Sequence, residues 1–164
     1  MIKLLVLDVD GCLSDGQIIY SSDSVEIKNF NVKDGLGISS WIKLGNHVAI
    51  ITGRQSNIVK KRSDELGIQH LFQGVKDKHS VLTKLVDNLG IQFNEVAAIG
   101  DDLNDYKMLQ SVGRSFTPKN GVKEIQEIVN HTLSYIGGDG AVREMIDLLI
   151  DENLQREEFM SLWV

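Results

Sequence analysis

Ile2-Lys3-Leu4-Leu5-Val6-Leu7-Asp8-Val9-Asp10-Gly11 runs from a nearly unbroken apolar segment straight into two carboxylates and a glycine. A short apolar run that stops on a polar cluster reads as a buried parallel strand whose carboxyl end opens onto a site. Two further runs behave alike. His47-Val48-Ala49-Ile50-Ile51 ends at Thr52-Gly53-Arg54, and Val96-Ala97-Ala98-Ile99 ends at Gly100-Asp101-Asp102. Shorter strands are expected at 70–72, 114–116 and 132–135.

Between the runs the apolar residues switch to helical spacing. Ile38, Trp41 and Ile42 precede Gly45; Ile58, Val59 and Leu66 precede Gly67; Val81, Leu82, Leu85, Val86 and Leu89 precede Gly90. Each glycine suits a left-handed helix end. Further helices are predicted over 103–112, 121–130 and 141–154. Strands alternating with helices give an α/β fold, a Rossmann-like, doubly wound parallel sheet whose strand ends gather polar residues in one crevice. One segment breaks the rhythm: 17–21 and 25–32 alternate around Ser22-Asp23-Ser24, which predicts a β-hairpin protruding from the sheet. A lone hairpin leaves open edges, which pairing with copies of itself would cover.

The 164 residues suit one domain spanning 1–164. Seventeen Lys and Arg against 23 Asp and Glu give a net charge of −6, which argues against nucleic-acid binding. The apolar start halts at Asp8, too soon for a signal core or a membrane span. Cys12 is the one cysteine, so neither an intrachain disulfide nor a thiolate cluster can form, and a cytoplasmic protein is expected.

Two carboxylates packed at a strand end repel each other and lose solvent, a conflict that a divalent cation resolves. Asp101 brings a third oxygen donor, and an all-oxygen set favours Mg²⁺ over zinc. An EF-hand is excluded, because counting from Asp8 its obligatory glycine and glutamate fall on Leu13 and Ile19. Taken singly, Asp10-Gly11 reads equally as a turn and Asp101 or Asp102 as a helix cap, while Lys78 alone reads as solvated surface. Thr52 and the N–H groups around Gly53 can hold phosphoryl oxygens or simply cap a helix.

The ordered set Asp8-Val9-Asp10-Gly11, Thr52, Lys78 and Gly100-Asp101-Asp102-Leu103-Asn104-Asp105 resembles the haloacid dehalogenase superfamily of phosphohydrolases. The resemblance implies Asp8 as nucleophile, Asp10 as general acid and base, and Thr52 and Lys78 as phosphate holders. It further implies Mg²⁺ on Asp8, Asp101 and the Asp10 carbonyl, with Asp102 and Asp105 orienting that shell. Only 41 residues separate Asp10 from Thr52 and 25 separate Thr52 from Lys78, leaving no room for a cap domain. The chain is similar to the superfamily's capless branch, which acts on sugar acid phosphates for lipopolysaccharide synthesis. That likeness implies a homotetramer through the 17–32 hairpin, with substrate contacts from Asp10, Asn31, Val32, Lys33, Asp34, Gly35, Gly53, Arg54, Arg62 and Lys78. Within that resemblance a nine-carbon acylneuraminate-type 9-phosphate enzyme tends to carry Glu in place of Arg54, so the likeness implies the eight-carbon acid, 3-deoxy-D-manno-octulosonate 8-phosphate; Ser39 and Asp139 depart from the branch pattern.

Two other classes compete. A receiver-type phosphoacceptor shares the carboxylates, hydroxyl and lysine, but carries its acidic pair early; multiple turnovers would exclude it. A noncatalytic regulatory domain would bind Mg²⁺ and release no phosphate. Cys12 reads as a packing residue, and the apolar tail of Phe159, Met160, Leu162 and Trp163 packs either on its own chain or on a neighbour.

Overall fold

The computed structural model describes residues 1–164. Six parallel strands form the sheet: β1 (Leu4–Leu7), β4 (His47–Ile51), β5 (His70–Phe72), β6 (Val96–Ile99), β7 (Arg114–Thr117) and β8 (His131–Thr132). Their spatial order is β5-β4-β1-β6-β7-β8. From β1 the chain builds outward through β4 to β5, then crosses back to lay β6 on the other side of β1. The winding direction therefore reverses beside β1. A crevice opens at such a reversal, and the carboxyl ends of β1, β4 and β6 line it with Asp8, Thr52 and the segment from Gly100 onward.

Alternation along the strands sorts the core into two layers. Leu5, Leu7, Val48, Ile50, Ala97 and Ile99 face α1 (Val32–Lys43), α2 (Asn57–Leu66) and α6 (Ala141–Glu152). Leu4, Val6, Ala49, Ile51, Val96 and Ala98 face α3 (Lys78–Leu89), α4 (Tyr106–Ser111) and α5 (Lys123–Gln126). Register agrees with this sorting: Leu5 stands beside Val48 on one side and Ala97 on the other. Gly67 and Gly90 end α2 and α3 in the left-handed conformation.

Several expectations need correction. The hairpin strands are short, with β2 (Ile19–Tyr20) paired to β3 (Glu26–Ile27), and the second strand does not reach Val32. Asn31 caps α1 instead, its side chain accepting from Lys33 N at 2.8 Å, so the helix starts where the strand was expected to end. The 103–112 helix divides into a 3₁₀ turn at Leu103–Asp105 followed by α4. Over 121–130 only the turn of α5 is helical, because Asn130 leaves to clasp Ser115 of β7 at 2.8 Å. The last strand stops at Thr132, since Ser134 N and Tyr135 N donate to the Glu144 carboxylate rather than to a strand. The tail α7 (Arg156–Ser161) packs on its own chain: Phe159 is buried, and Trp163 donates from Nε1 to Ser40 Oγ at 3.3 Å. No helix is long and apolar enough to cross a membrane.

Candidate active site

Asp8 terminates β1, and its N–H still pairs with Ile99 O at 3.2 Å, so its backbone is held by the sheet. The chain then coils through a tight turn at Val9–Leu13. Gly11 sits in this turn at φ +94, and a Cβ there would lie 2.0 Å from Asp101 Oδ2. Both the backbone angle and the approach of Asp101 require glycine. Beneath the turn Gly138 N donates to Cys12 O at 3.0 Å, and a Cβ on Gly137 would collide with Gly11 O. The late glycine-rich segment thus acts as a backbone floor for the loop that carries Asp8 and Asp10.

A cavity of about 270 Å³ is lined by Asp8, Asp10, Gly16, Thr52, Gly53, Arg54, Asp101, Asp102 and Asn104. Lys78, the first residue of α3, lies behind Asp8 with Nζ 2.8 Å from the Asp8 carboxylate and 2.6 Å from Asp105. Asp105 is fully buried. One of its oxygens accepts from Lys78 and the other from Asp101 N at 3.1 Å, so it ties the third-strand loop to the lysine.

Asp8, Asp101 and Asp105 crowd one cation. Burial, with the Asp105 charge adding to it, pushes the Asp8 carboxyl up to about 6 despite Lys78. Burial, reinforced by Asp8, Asp105 and Asp102, pushes Asp101 up to about 7. Burial works against the Lys78 charge, but Asp8 and Asp105 outweigh it and hold its pKa above the usual lysine value. The pocket therefore carries an unbalanced negative charge at neutral pH. Oxygens of Asp8 and Asp101 and the Cys12 sulfur come within 4.8 Å of one another. Two raised carboxylates at this separation fit a small divalent cation, whose charge would remove the repulsion that raises them. Cys12 is buried among apolar side chains, and desolvation with the charges of Asp101 and Asp8 drives its thiol well above the ordinary range. It remains a neutral packing group.

Asp8, Asp10, Thr52, Gly53, Arg54, Asp101 and Asp102 thus share one cavity, with Lys78 and Asp105 directly behind it. Asn31, Val32, Lys33, Asp34, Gly35 and Arg62 are not brought there. Gly35, Val32, Ser39 and Arg62 line a shallow groove of about 280 Å³ between α1 and α2. Asp34 is buried, accepting from Arg143 N at 2.8 Å, while its Oδ2 has no partner. Burial pushes it to about 6.

The structure also supplies residues that spacing did not reveal. The hairpin folds back over the cavity mouth, bringing Lys28 to Asp10 and Glu26 to Arg54, at 3.3 Å, and to Ser56, at 2.7 Å. Glu26 and Lys28 are two residues apart and so share one strand face. That was the available signal, though nothing in it names Asp10 as their target.

Comparison with known proteins places these features in context. The sequence profile described as haloacid dehalogenase-like hydrolase matches residues 70–145. The 3-deoxy-D-manno-octulosonate 8-phosphate phosphatase KdsC of Escherichia coli strain K12 is 42% identical over 149 residues, covering 91% of this chain and 79% of the relative. The crystal structure of 3-deoxy-D-manno-octulosonate 8-phosphate phosphatase from Moraxella catarrhalis, in complex with magnesium, phosphate and KDO, superposes with a TM-score of 0.96 at 42% identity. That match covers 99% of this chain and 94% of the other. The cobalt-bound phosphatase of Haemophilus influenzae matches with a TM-score of 0.88 at 37% identity, covering 92% and 88% respectively.

Proposed function

Because the chain belongs to the 3-deoxy-D-manno-octulosonate 8-phosphate phosphatase family of haloacid dehalogenase-like hydrolases, we propose that it hydrolyses that phosphate ester to the free sugar acid and phosphate. The observation that carries the reading is the convergence of Asp8, Asp10, Thr52, Arg54 and Asp101 on one cavity with Lys78 behind the nucleophile.

The Asp8 and Asp101 carboxylates and the Asp10 carbonyl would hold Mg²⁺, which when bound supplies positive charge beside the transferring phosphoryl group. Asp8 attacks phosphorus in line; its oxygen–phosphorus bond forms as the bond to the sugar oxygen breaks, leaving an aspartyl phosphate. Asp10 gives its proton to the departing oxygen. Water then attacks the same phosphorus, the Asp8 oxygen–phosphorus bond breaks, and Asp10 takes the proton released by water. Charge on the equatorial oxygens is met by Lys78, the Thr52 hydroxyl and N–H groups near Gly53. Asp105 keeps Lys78 and the Asp101 loop in register, and Asp102 caps the turn that follows.

Arg54 stands at the cavity mouth, 40% exposed, where its planar fork suits the carboxylate of a sugar acid. Asn31, Val32, Lys33 and Arg62 lie outside the cavity with surface to offer, so they would serve the substrate from a second copy of the chain, whereas Asp34 is buried against Arg143 N. A homotetramer through the hairpin would deliver them, and the exposed Ile18, Ile19, Tyr20, Val25 and Ile27 supply an apolar surface for it. We place the reaction in the cytoplasm, where the unpaired Cys12 stays reduced.

The test is phosphate release from a panel of eight- and nine-carbon sugar acid phosphates, with Mg²⁺ present and chelated. Multiple turnovers on the eight-carbon ester, lost on chelation, support the reading. Preference for a nine-carbon ester or the absence of turnover overturns it.

A further inference from the structure

Lys28 follows β3 at the base of the hairpin, and its side chain is only 1% exposed although most of the hairpin's apolar side chains face solvent. A lysine is stable in such a position only if its charge is met. The charge is met by Asp10, whose Oδ1 lies 2.5 Å from Lys28 Nζ, and by Glu26, at 3.4 Å. Glu26 is itself anchored, accepting from Ser56 Oγ at 2.7 Å and from Arg54 Nη2 at 3.3 Å. The other Asp10 oxygen lies 3.9 Å from Arg54 Nε. Ser56 is the N-cap of α2 and is buried, so the chain Ser56, Glu26, Lys28, Asp10 runs from a fixed helix end to a loop carboxylate.

Asp10 occupies an extended conformation, φ −74 and ψ 113, inside the turn after β1. Its carboxylate swings on two torsions unless something holds it. Proton transfer to a leaving oxygen needs that carboxylate within hydrogen-bond reach at a defined angle, and small misplacements are costly in rate.

We propose that Lys28 is a positioning residue for Asp10, delivered by the hairpin and anchored by Glu26, which holds the carboxylate toward the leaving oxygen of the phosphate ester. The inference rests on the acid–base reading of Asp10 given above. Lys28 changes no bond in either step; it orients the group that does. The hairpin then has a role in its own subunit's chemistry besides any role in assembly.

The experiment compares the Mg²⁺-loaded Lys28→Met, Lys28→Arg and Glu26→Gln enzymes on two substrates, the sugar acid phosphate and p-nitrophenyl phosphate, whose leaving group departs without a proton. Single-turnover rates isolate the first chemical step, and calorimetric Mg²⁺ titration and thermal melts check that site and fold persist. Lys28→Met should lower the rate on the sugar ester about 10- to 100-fold, on the scale of a displaced acid–base group. KM should stay within about threefold, and the loss on p-nitrophenyl phosphate should be under about fivefold. Lys28→Arg should restore most of the rate. Glu26→Gln, which keeps the lysine but loosens its anchor, should show a smaller loss with the same dependence on the ester and decides the matter if Lys28→Met does not fold. An unchanged rate on the sugar ester, or equal losses on both esters, overturns the positioning role while leaving the proposed activity intact. A wild-type enzyme inactive on both esters refutes the activity and the positioning role together.

Discussion

Replacing Asp101 with Asn should stabilise the Mg²⁺-free protein while abolishing its response to Mg²⁺. In the folded chain the Asp101 carboxyl is pushed from 3.8 to about 7, first by burial and then by Asp8, Asp105 and Asp102. The folded state therefore holds this proton more tightly than the unfolded state, and stability falls as pH rises from 3.8 to about 7. A shift of about 3 units is worth up to ~4 kcal/mol above pH 7, and ~2 kcal/mol of that has accrued by pH 5.5. Asparagine keeps the shape and removes the charge. Asp101 contributes little side-chain hydrogen bonding that would be lost, its recorded side-chain contact being the weak 3.9 Å approach of Cys12. For a chain of this size the gain at pH 8 should raise Tm by up to about 8–16 °C, with roughly half of that at pH 5.5. Saturating the wild type with Mg²⁺ should recover a comparable amount, about 2.7 kcal/mol at a hundred times Kd, whereas the variant should gain almost nothing. Scanning calorimetry at both pH values, with and without Mg²⁺, reads all four quantities. A Mg²⁺-free variant less stable than wild type at pH 8, or one that Mg²⁺ stabilises to the wild-type extent, would refute the carboxylate crowding that underlies the metal assignment.

Three further outcomes follow from the same geometry. Because Asp8 and Asp101 must shed protons held to about 6 and about 7 before they can ligate, Mg²⁺ affinity should be flat above pH 8 and fall about tenfold per unit near pH 6.5. Calorimetric titration checks this, and a pH-independent affinity would contradict it. Asp34→Asn should add up to about 3 kcal/mol at pH 8 and nothing near pH 3.5, because burial raises this carboxyl from 3.8 to about 6 and the cost of its charge accrues between those values; urea unfolding at both pH values measures the difference. Placing Asp at Ile19 or Ile27, the paired and exposed hairpin residues, should drive the proposed tetramer toward smaller species in sedimentation velocity, with the helical circular dichroism retained. A wild type already monomeric at micromolar concentration would remove the basis for that expectation.

What sequence made legible was what local pattern controls. Leu4–Leu7, His47–Ile51 and Val96–Ile99 are apolar enough to declare themselves as central strands, and Asp8, Thr52 and Asp101 are marked out by their position just beyond those runs. Asp105 was within reach because it lies on the turn that Asp101 begins, four residues on. Other features depend on side chains meeting across long separations. The helix expected over 121–130 breaks because Asn130 finds Ser115, and the strand expected to run to Tyr135 ends because Glu144 captures its N–H groups. Neither competitor is adjacent in sequence. Lys28 was invisible for the same reason, since its partner Asp10 lies 18 residues away across a fold-back of the hairpin. Asn31 was read as strand because Val25–Val32 alternates, but its side chain caps a helix, and capping overrode alternation.

Everything chemical in the account depends on Asp8 forming a bond to phosphorus. Rapid acid quench during turnover of the sugar acid phosphate with Mg²⁺, followed by peptide mass analysis, should find one phosphoryl group on the peptide carrying Asp8. The label should be lost with hydroxylamine and absent from Asp8→Asn. A label on another residue, or full turnover by Asp8→Asn, would contradict it.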